Sequence, residues 1–343
     1  MSESELLEKV IQILTPYAKN QAALASVGPE TSILDDLKVN SARLVDVVLA
    51  FEDEFDIQIA DEDVDAVETV ADCVSLIQQK LPAEGLVAEL DRAGALPDLA
   101  SDERRALARQ RMIGRLLAPV WIPLAAAVMR FVLGWRIEGA RETRERYRRL
   151  RAESRAPLLV CANHLTLVDS FLVASALGSP GFFVRDYASL PWNVPEAANF
   201  AATWWSRALV YLMKCVPIRR GGERREAALV LARLGHLMRG GEVALLFPEG
   251  GRSRTGRVDV DAAAYGVGRL VKAVPGCLVL CVYLRGAGQA TWSDFPRRGE
   301  RFRVELSLLE PKADAPGLRG SRDVARGILG RLAEMESRCL DRQ

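Results

Sequence analysis

Histidine is scarce in this sequence, since only His164 and His236 occur among its 343 residues. The six cysteines stand at positions 73, 161, 215, 277, 281 and 339, and their spacing matches neither a zinc site nor a disulfide framework. We therefore expect no metal site. Any chemistry that needs an imidazole must use one of these two histidine side chains.

The sequence also lacks an uncharged apolar run of the length that crosses a bilayer. In its most apolar stretch, residues 112–135, Arg115 and Arg130 leave fourteen uncharged residues between them, fewer than the roughly 20 that a spanning helix needs. Trp121 and Trp135, together with the arginines, suit a membrane–water interface. We predict that this segment lies on a membrane without crossing it. The alternative is a packed helical layer over the rest of the domain.

Charge is distributed unevenly along the chain. Residues 1–85 contain eighteen acidic and five basic residues, a net charge of −13, so the remainder carries +14 in a chain of net charge +1. Residues 81–108 combine proline, glycine and alternating charges, which is typical of a linker. We predict two domains, at 1–80 and 109–343, joined by a linker at 81–108.

The acidic domain contains an amphipathic helix with a serine at its start. Leu44, Val47, Val48 and Phe51 recur at helical spacing. The segment DLKVNSARLVDVVLAFEDEF resembles acyl carrier proteins, in which a phosphopantetheinyl transferase attaches 4'-phosphopantetheine to the serine at the position of Ser41. The resemblance implies an all-α helical bundle. The alternative is a small acidic helical bundle for docking, in which Ser41 only caps the helix.

A histidine and an aspartate lie five residues apart in the segment NHLTLVD. The apolar run before His164 predicts a buried strand, and DSFLVASAL predicts a helix that begins near Asp169. An alcohol or amine that attacks a thioester must lose a proton, and imidazole, with an ordinary pKa of about 6.5, suits this task. We predict His164 as general base and Asp169 as its orienting partner. The alternative is an ordinary strand-end histidine beside a helix-capping aspartate.

A second segment, FPEGGRSR at 247–254, follows the strand-like run EVALLF. Glycine lets the backbone approach a ligand closely, and arginine donates a planar fork of N–H groups to phosphate oxygens. Between the two segments, VPIRRGG places Arg219 at the end of another strand-like run. The alternative is a solvated basic turn after a strand.

Together these segments resemble the glycerolipid acyltransferases of the lysophosphatidic acid acyltransferase type, over about residues 110–310. The resemblance implies an α/β domain with a mostly buried sheet flanked by helices. It also implies an acceptor site formed by Arg219, Glu249, Gly250 and Arg252. Cys281 stands where this family usually has a proline, and Gly251 where it usually has a threonine.

The predicted function is acyl transfer from a thioester donor to the hydroxyl of a lysophospholipid or glycerol-phosphate-type acceptor. The donor is an acyl carrier protein, which includes the chain's own, or acyl-CoA. No signal peptide precedes the acidic N-terminus, so we expect the protein on the cytoplasmic face of the inner membrane. We expect no nucleic acid partner.

Two alternatives remain open. The acceptor could be an amino lipid, a sphingoid-like lipid or a specialised polyene lipid, acylated on nitrogen or oxygen. The chain could instead be an acyl-carrying scaffold with a degenerate transferase domain.

Overall fold

The structure is a computed structural model that describes residues 3–20, 22–55, 57, 59, 63–64, 67–80, 96–197, 203–219, 224–312 and 317–341. The chain divides into two compact units, residues 1–95 with 313–323 and residues 96–312 with 324–343. Of the predicted linker, residues 81–95 lie outside the described residues.

The first unit is helical in its described residues. Its helices are α1 (Glu3–Leu14), α2 (Ser41–Phe55) and α3 (Val70–Lys80). In α1, Leu6, Val10 and Leu14 recur every four residues and are buried, so one face of the helix forms core. Ile33 and Leu37, between α1 and α2, are also fully buried. The apolar stripes thus assemble the helical bundle that the sequence predicts.

The second unit is built on a mixed sheet. Its described strands are β1 (Arg136–Ile137), β2 (Leu158–Ala162), β3 (Val243–Leu246), β4 (Leu278–Gly286) and β5 (Arg301–Leu309). Their spatial order is β1-β5-β4-β2-β3. Only the β4–β5 pair is antiparallel, because these two strands follow each other without an intervening helix.

Helices surround this sheet. They are α4 (Ser101–Ala127), α5 (Ala140–Glu153), α6 (Asp169–Leu177), α7 (Pro180–Arg185), α8 (Trp204–Leu212), α9 (Arg224–Arg239), α10 (Tyr265–Ala273) and α11 (Gly317–Asp341), the last belonging to this unit from residue 324 onward.

Successive strand residues face two separate cores, as the period-two geometry of a strand requires. Leu159 and Cys161 of β2 join a core with α9, α10 and α11, whereas Leu158 and Val160 join a core with α4, α5 and α6. Strands β2 and β4 are buried almost throughout. Strand β5 is largely half-buried, and Arg136 of β1 is exposed. The helices therefore cover both faces of the central strands, while the β1–β5 edge is more open.

Helix α4 begins earlier than the sequence predicts. Residues 101–108, assigned above to the linker, form its first two turns. Asp102 and Glu103 lie in the first turn, where acidic side chains complement the helix dipole. The Glu103 carboxylate also accepts the N–H of Ala100, at 3.3 Å. These local contacts start the helix before the apolar stretch and correct the end of the predicted linker.

Candidate active site

His164 and Asp169 meet in the turn between β2 and α6. Asp169 Oδ2 lies 3.0 Å from His164 Nδ1. Both side chains are buried, with exposed fractions of 11% for His164 and 3% for Asp169. With Nδ1 bonded to the carboxylate, Nε2 is the nitrogen that can exchange a proton with a substrate.

The same turn fixes the Asp169 carboxylate. The backbone N–H groups of Leu165 and Thr166 donate to Oδ2, at 2.5 and 2.7 Å, and the Thr166 hydroxyl donates to Oδ1, at 2.5 Å. Asp169 is also the first residue of α6, where the helix dipole favours a negative charge. The carboxylate therefore holds the turn and the imidazole together.

Asn163 attaches the start of this turn to β4. Its side-chain amide donates to the carbonyl of Leu284, at 3.0 Å, and its side-chain oxygen accepts the Leu284 N–H, at 2.8 Å. Sequence reasoning assigned no role to Asn163, although it stands next to His164 in the first motif. These two hydrogen bonds hold Asn163, and with it the adjacent His164, in place at the carboxyl end of β2.

The FPEGGRSR turn holds His164 from another side. The Phe247 ring stacks on the imidazole, with ring centroids 4.0 Å apart and an interplanar angle of 13°. The Ser253 N–H donates to the His164 carbonyl, at 2.9 Å, and the Glu249 carboxyl accepts the His164 N–H. Ring and peptide of His164 are therefore both positioned by residues more than eighty positions away. Sequence reasoning missed Phe247 as part of the site.

Glu249 is mostly enclosed in this turn. Burial, opposed by N–H donation from His164 and Asp259, raises the pKa of the Glu249 carboxyl to about 8. Its Oε1 is buried and has no hydrogen-bond partner within the described part of the chain. The neutral form therefore dominates at pH 7. The structure places Glu249 against the turn at 163–169, the candidate catalytic turn (the catalytic turn below), and the role of Glu249 toward an acceptor stays a prediction.

The other predicted acceptor residues lie in different settings. Gly250 has φ of +66° and donates its N–H to the Phe247 carbonyl, at 3.0 Å, so a glycine suits this tight turn. Arg252 immediately precedes Ser253 and thus borders the catalytic turn. Arg219 is exposed, and among the described residues no hydrogen bond or ion pair joins it to His164 or Arg252.

Arg252 belongs to a charged cluster that sequence reasoning missed. Its guanidinium lies 5.0 Å from the centre of the Trp292 ring, and that of Arg254 lies 4.8 Å from the same ring. Arg252 Nη1 also pairs with Asp294 Oδ1, at 2.6 Å. Trp292 and Asp294 lie between β4 and β5, where no sequence motif marked them.

A cavity of about 420 Å³ lies beside the catalytic turn. Ser170 and Phe171, which directly follow Asp169, contribute to its wall. Most of its lining is apolar, and it includes Ile122, Ala125, Met129, Ala174 and Leu245. The cavity has the size and polarity for an apolar chain attached to a reacting group.

Within the described residues, no three side chains of His, Cys, Asp or Glu are grouped to hold a metal ion. The six cysteines are buried and unpaired as disulfides. The contact of His164 Nδ1 with the Asp169 carboxylate leaves Nε2 of the imidazole for proton exchange.

Helix α2 of the first unit begins at Ser41. Its cap is Asn40, whose side-chain oxygen accepts the Arg43 N–H, at 2.8 Å. The capping role considered for Ser41 is therefore filled by its neighbour. Because Asn40 caps the helix, the serine at the helix start fits a role as the attachment point of a phosphodiester-linked group. Such a group would supply a thiol that carries acyl chains.

Comparison with known proteins finds one matching family for each of the two parts of the chain. The family described as "Acyltransferase" matches residues 138–285, which include the NHLTLVD segment at 163–169 and the FPEGGRSR segment at 247–254. The family described as "Phosphopantetheine attachment site" matches residues 18–77, which include Ser41.

The N-terminal part is similar to complete small proteins. An acyl carrier protein of Phenylobacterium zucineum is 39% identical over 80 residues, which are 23% of this chain and 99% of the relative. An acyl carrier protein of Petrotoga mobilis is 36% identical over 81 residues, which are 24% of this chain and 93% of the relative.

These matches confirm both resemblances and the covalent 4'-phosphopantetheine cofactor of the N-terminal domain. The C-terminal match, with the paired His164 and Asp169, makes the protein an acyltransferase that uses an acyl thioester donor and an acceptor. The chain therefore belongs, through its N-terminal domain, to the acyl carrier protein family, and it joins this carrier to a domain of the acyltransferase family.

Proposed function

We propose that this enzyme transfers an acyl chain from a thioester to the hydroxyl of a lysophospholipid or glycerol-phosphate-type acceptor at a membrane surface. The observation that carries the proposal is the 3.0 Å contact between the buried His164 and Asp169 side chains. It supplies an oriented base beside a turn that contains two arginines.

In the proposed reaction, the acceptor hydroxyl oxygen attacks the thioester carbonyl carbon while His164 Nε2 takes the hydroxyl proton. The carbon–sulfur bond then breaks, and the imidazolium returns the proton to the leaving sulfur. The Asp169 carboxylate stabilises the imidazolium and keeps its tautomer. Rate gains of about 10² to 10⁴ are typical of such a positioned base.

Arg252 and Arg254 support an anionic acceptor. The backbone bond between Ser253 and His164 keeps these two arginines at the edge of the catalytic turn. Guanidinium groups bind phosphate oxygens through paired N–H donors, and Trp292 holds both guanidiniums over one ring. We propose that this pair binds the acceptor headgroup, and that Arg219 contributes from the neighbouring segment as the family resemblance implies.

The apolar cavity supports a long-chain substrate. It is walled by the start of α6 on one side and by α4 on another, through Phe171 and Ile122. Ser170 and Phe171, the two residues that follow Asp169, line this cavity, so one part of its wall is the first turn of the helix that begins at Asp169. We propose that the cavity receives the transferred chain.

The carrier domain supports a protein-bound donor. We propose that a phosphopantetheinyl transferase modifies Ser41, and that the resulting thiol carries the acyl chain to be transferred. A fused carrier raises the local concentration of donor into the roughly millimolar range. The intact mass of the chain, co-expressed with a broad-specificity transferase, tests this directly. The added mass should be present in a Ser75→Ala control and absent from Ser41→Ala.

Helix α4 supports attachment to the membrane. Together with the π-helical turn at 128–132 it forms one continuous helix over residues 101–132. Among the described residues, this helix is long and apolar enough to span a bilayer by length and composition, with a mean hydropathy of 1.7 in its most apolar part. Leu116, Val120, Leu124 and Phe131 are 77%, 69%, 61% and 80% exposed on one side. An unpartnered apolar stripe of this size is typical of a membrane-binding face.

The opposite side of α4 packs on protein. Gln110 donates to the carbonyls of Tyr211 and Cys215, at 2.9 and 3.0 Å, and Arg111 pairs with Glu242, at 2.8 Å. In the apolar part itself, Ala118, Ile122 and Met129 are buried in the core that includes residues of β2, α5 and α6, so this side of the helix does not face lipid. We therefore propose that α4 lies along the cytoplasmic face of the inner membrane.

The deciding experiment measures acyl transfer by the purified full-length protein. Lysophospholipids and glycerol 3-phosphate are offered with an acyl-thioester, and products are identified by mass spectrometry. We expect an ester product with wild-type protein and none above background with His164→Ala, while a His236→Ala control stays active. Ester formation that survives in His164→Ala, or amide products alone, would refute the proposal.

A further inference from the structure

The segment between β4 and β5, residues 287–300, borders the catalytic turn although it lies beyond the residues matched by the acyltransferase family. The Ser293 N–H donates to the Leu165 carbonyl, at 3.0 Å, and the Leu167 N–H donates to the Asp294 carbonyl, at 3.1 Å. These two backbone bonds attach the β4–β5 loop to the turn that contains His164. The backbone at 293–294 is therefore held beside this turn.

The loop changes the charge that an acceptor meets. Arg252 alone would present a full positive charge, but Asp294 pairs with it, at 2.6 Å. Together with Arg254 these three groups carry a net charge of +1. The Arg252 side chain is 20% exposed, whereas the Asp294 side chain is 64% exposed. The accessible part of the pair is thus its carboxylate, which remains open to a further hydrogen-bond donor.

We propose that Asp294 determines the headgroup class of the acceptor. It selects a headgroup with one negative charge and an adjacent donor group, either hydroxyl or ammonium, over a dianionic phosphomonoester. The inference rests on the proposed acyl transfer to a lysolipid and names the substrate class of the same site. Arg252 and Arg254 bind the single anionic group, and the Asp294 carboxylate accepts from the adjacent donor.

Electrostatic repulsion supplies the discrimination. A phosphomonoester that approaches Arg252 brings two negative charges beside a carboxylate, and contacts between like charges strongly disfavour a wrong partner. A phosphodiester brings one negative charge, and a hydroxyl or ammonium group turns the contact with Asp294 into an attraction. The Trp292 ring lies within cation–π distance of both guanidiniums, which favours the position of Arg252 beside Asp294.

The Asp294 carboxylate is not needed to hold the loop. The backbone bonds to Leu165 and Leu167 do not involve its side chain, and Trp292 contacts the arginines independently. An Asp294→Asn variant therefore keeps the loop in place while it removes the charge. A matched control is Asp261→Asn, which removes the charge from another exposed aspartate–arginine pair of the domain, with Arg326.

The experiment measures kcat and KM at pH 7.5 for three lysolipids with the same acyl chain. Lysophosphatidate presents a phosphomonoester, lysophosphatidylglycerol a monoanion with hydroxyls, and lysophosphatidylethanolamine a monoanionic phosphate with an ammonium. For wild type we expect kcat/KM of the better phosphodiester to exceed that of lysophosphatidate at least about ten-fold. Which phosphodiester is better distinguishes a hydroxyl from an ammonium as the preferred donor.

In Asp294→Asn this preference should fall at least about five-fold, through a lower KM for lysophosphatidate, with the thioester KM and the control variant unchanged. A wild-type preference for lysophosphatidate, or an unchanged preference in Asp294→Asn, would overturn the inference while acyl transfer itself stands. Absence of transfer to all three lysolipids would overturn the proposed function and this inference together.

Discussion

Replacement of Asp169 by asparagine tests how the buried carboxylate contributes to catalysis. Asparagine has the same shape and keeps one oxygen. That oxygen can take the position of Oδ2 and accept from His164, Leu165 and Thr166. Its amide then faces the Thr166 hydroxyl, which can rotate to accept. The turn should therefore form, and the free energy of unfolding should fall by only about 1–3 kcal/mol, because the bonds lose their charge assistance.

The effect on rate should be much larger. As the reaction proceeds the imidazole becomes an imidazolium, whose attraction to the carboxylate is about 4 kcal/mol at roughly 4 Å and an effective dielectric constant of about 20. Since about 1.36 kcal/mol changes a rate ten-fold, loss of this attraction lowers kcat about 10³-fold. The acceptor and donor KM values should change little, because neither substrate is bound by Asp169.

The assay compares kcat and the thermal midpoint of wild type, Asp169→Asn, His164→Ala and the double variant. Asp186→Asn serves as control, because Asp186 accepts the hydroxyl of Ser189, at 2.5 Å, away from the imidazole. It should stay within about two-fold of wild type. Near wild-type turnover in Asp169→Asn would refute the reasoning. So would a further 10³-fold loss on adding the change to His164→Ala, since Asp169 would then act without the imidazole.

Four further predictions follow from the structure. Burial raises the pKa of the Glu249 carboxyl to about 8, so the stability contributed by the protonated group is fully present below its ordinary pKa of 4.5 and is lost progressively as the pH rises to about 8. Glu249→Gln should remove this fall in the thermal midpoint between pH 4.5 and 8, together with any loss of kcat near pH 8, and an unchanged pH dependence in the variant would contradict the prediction. Phe247→Leu should lower kcat about ten-fold, because the stacked ring no longer orients the imidazole, while Phe247→Tyr retains most activity; equal losses in both variants would argue against a stacking role. Ser41→Ala should abolish transfer when no external acyl-thioester is supplied and leave transfer from added thioester intact, so full activity without added donor would exclude the carrier as donor. The double change Leu116→Asp and Val120→Asp should release the protein from anionic vesicles in sedimentation, without loss of kcat on a dispersed acceptor. Wild-type protein should leave the vesicles in high salt or carbonate. Extraction by detergent alone would mean instead that α4 spans the membrane or is embedded in it.

Features that depend on neighbouring residues could be predicted from the sequence. The spacing of His164 and Asp169 predicts their contact, because a strand end, a short turn and a helix start bring positions five apart within bonding distance. The apolar spacing in 44–51 predicts α2, and the change in charge near residue 85 separates the acidic carrier from the basic transferase. These patterns act over one or two turns of chain, so they can be interpreted without the fold.

The fold was needed to identify the distant groups that contact His164 and Asp169. Strand β4 pairs with β2 in parallel, so the Leu284 backbone meets Asn163 and the loop that follows β4 reaches the catalytic turn. This register brings Asp294 to Arg252, a contact across 42 positions that no local pattern encodes. The same long-range packing stacks Phe247 on His164 and encloses Glu249 beneath the turn. Sequence motifs mark residues that carry reactive groups, but burial and sheet register determine which charges those groups meet.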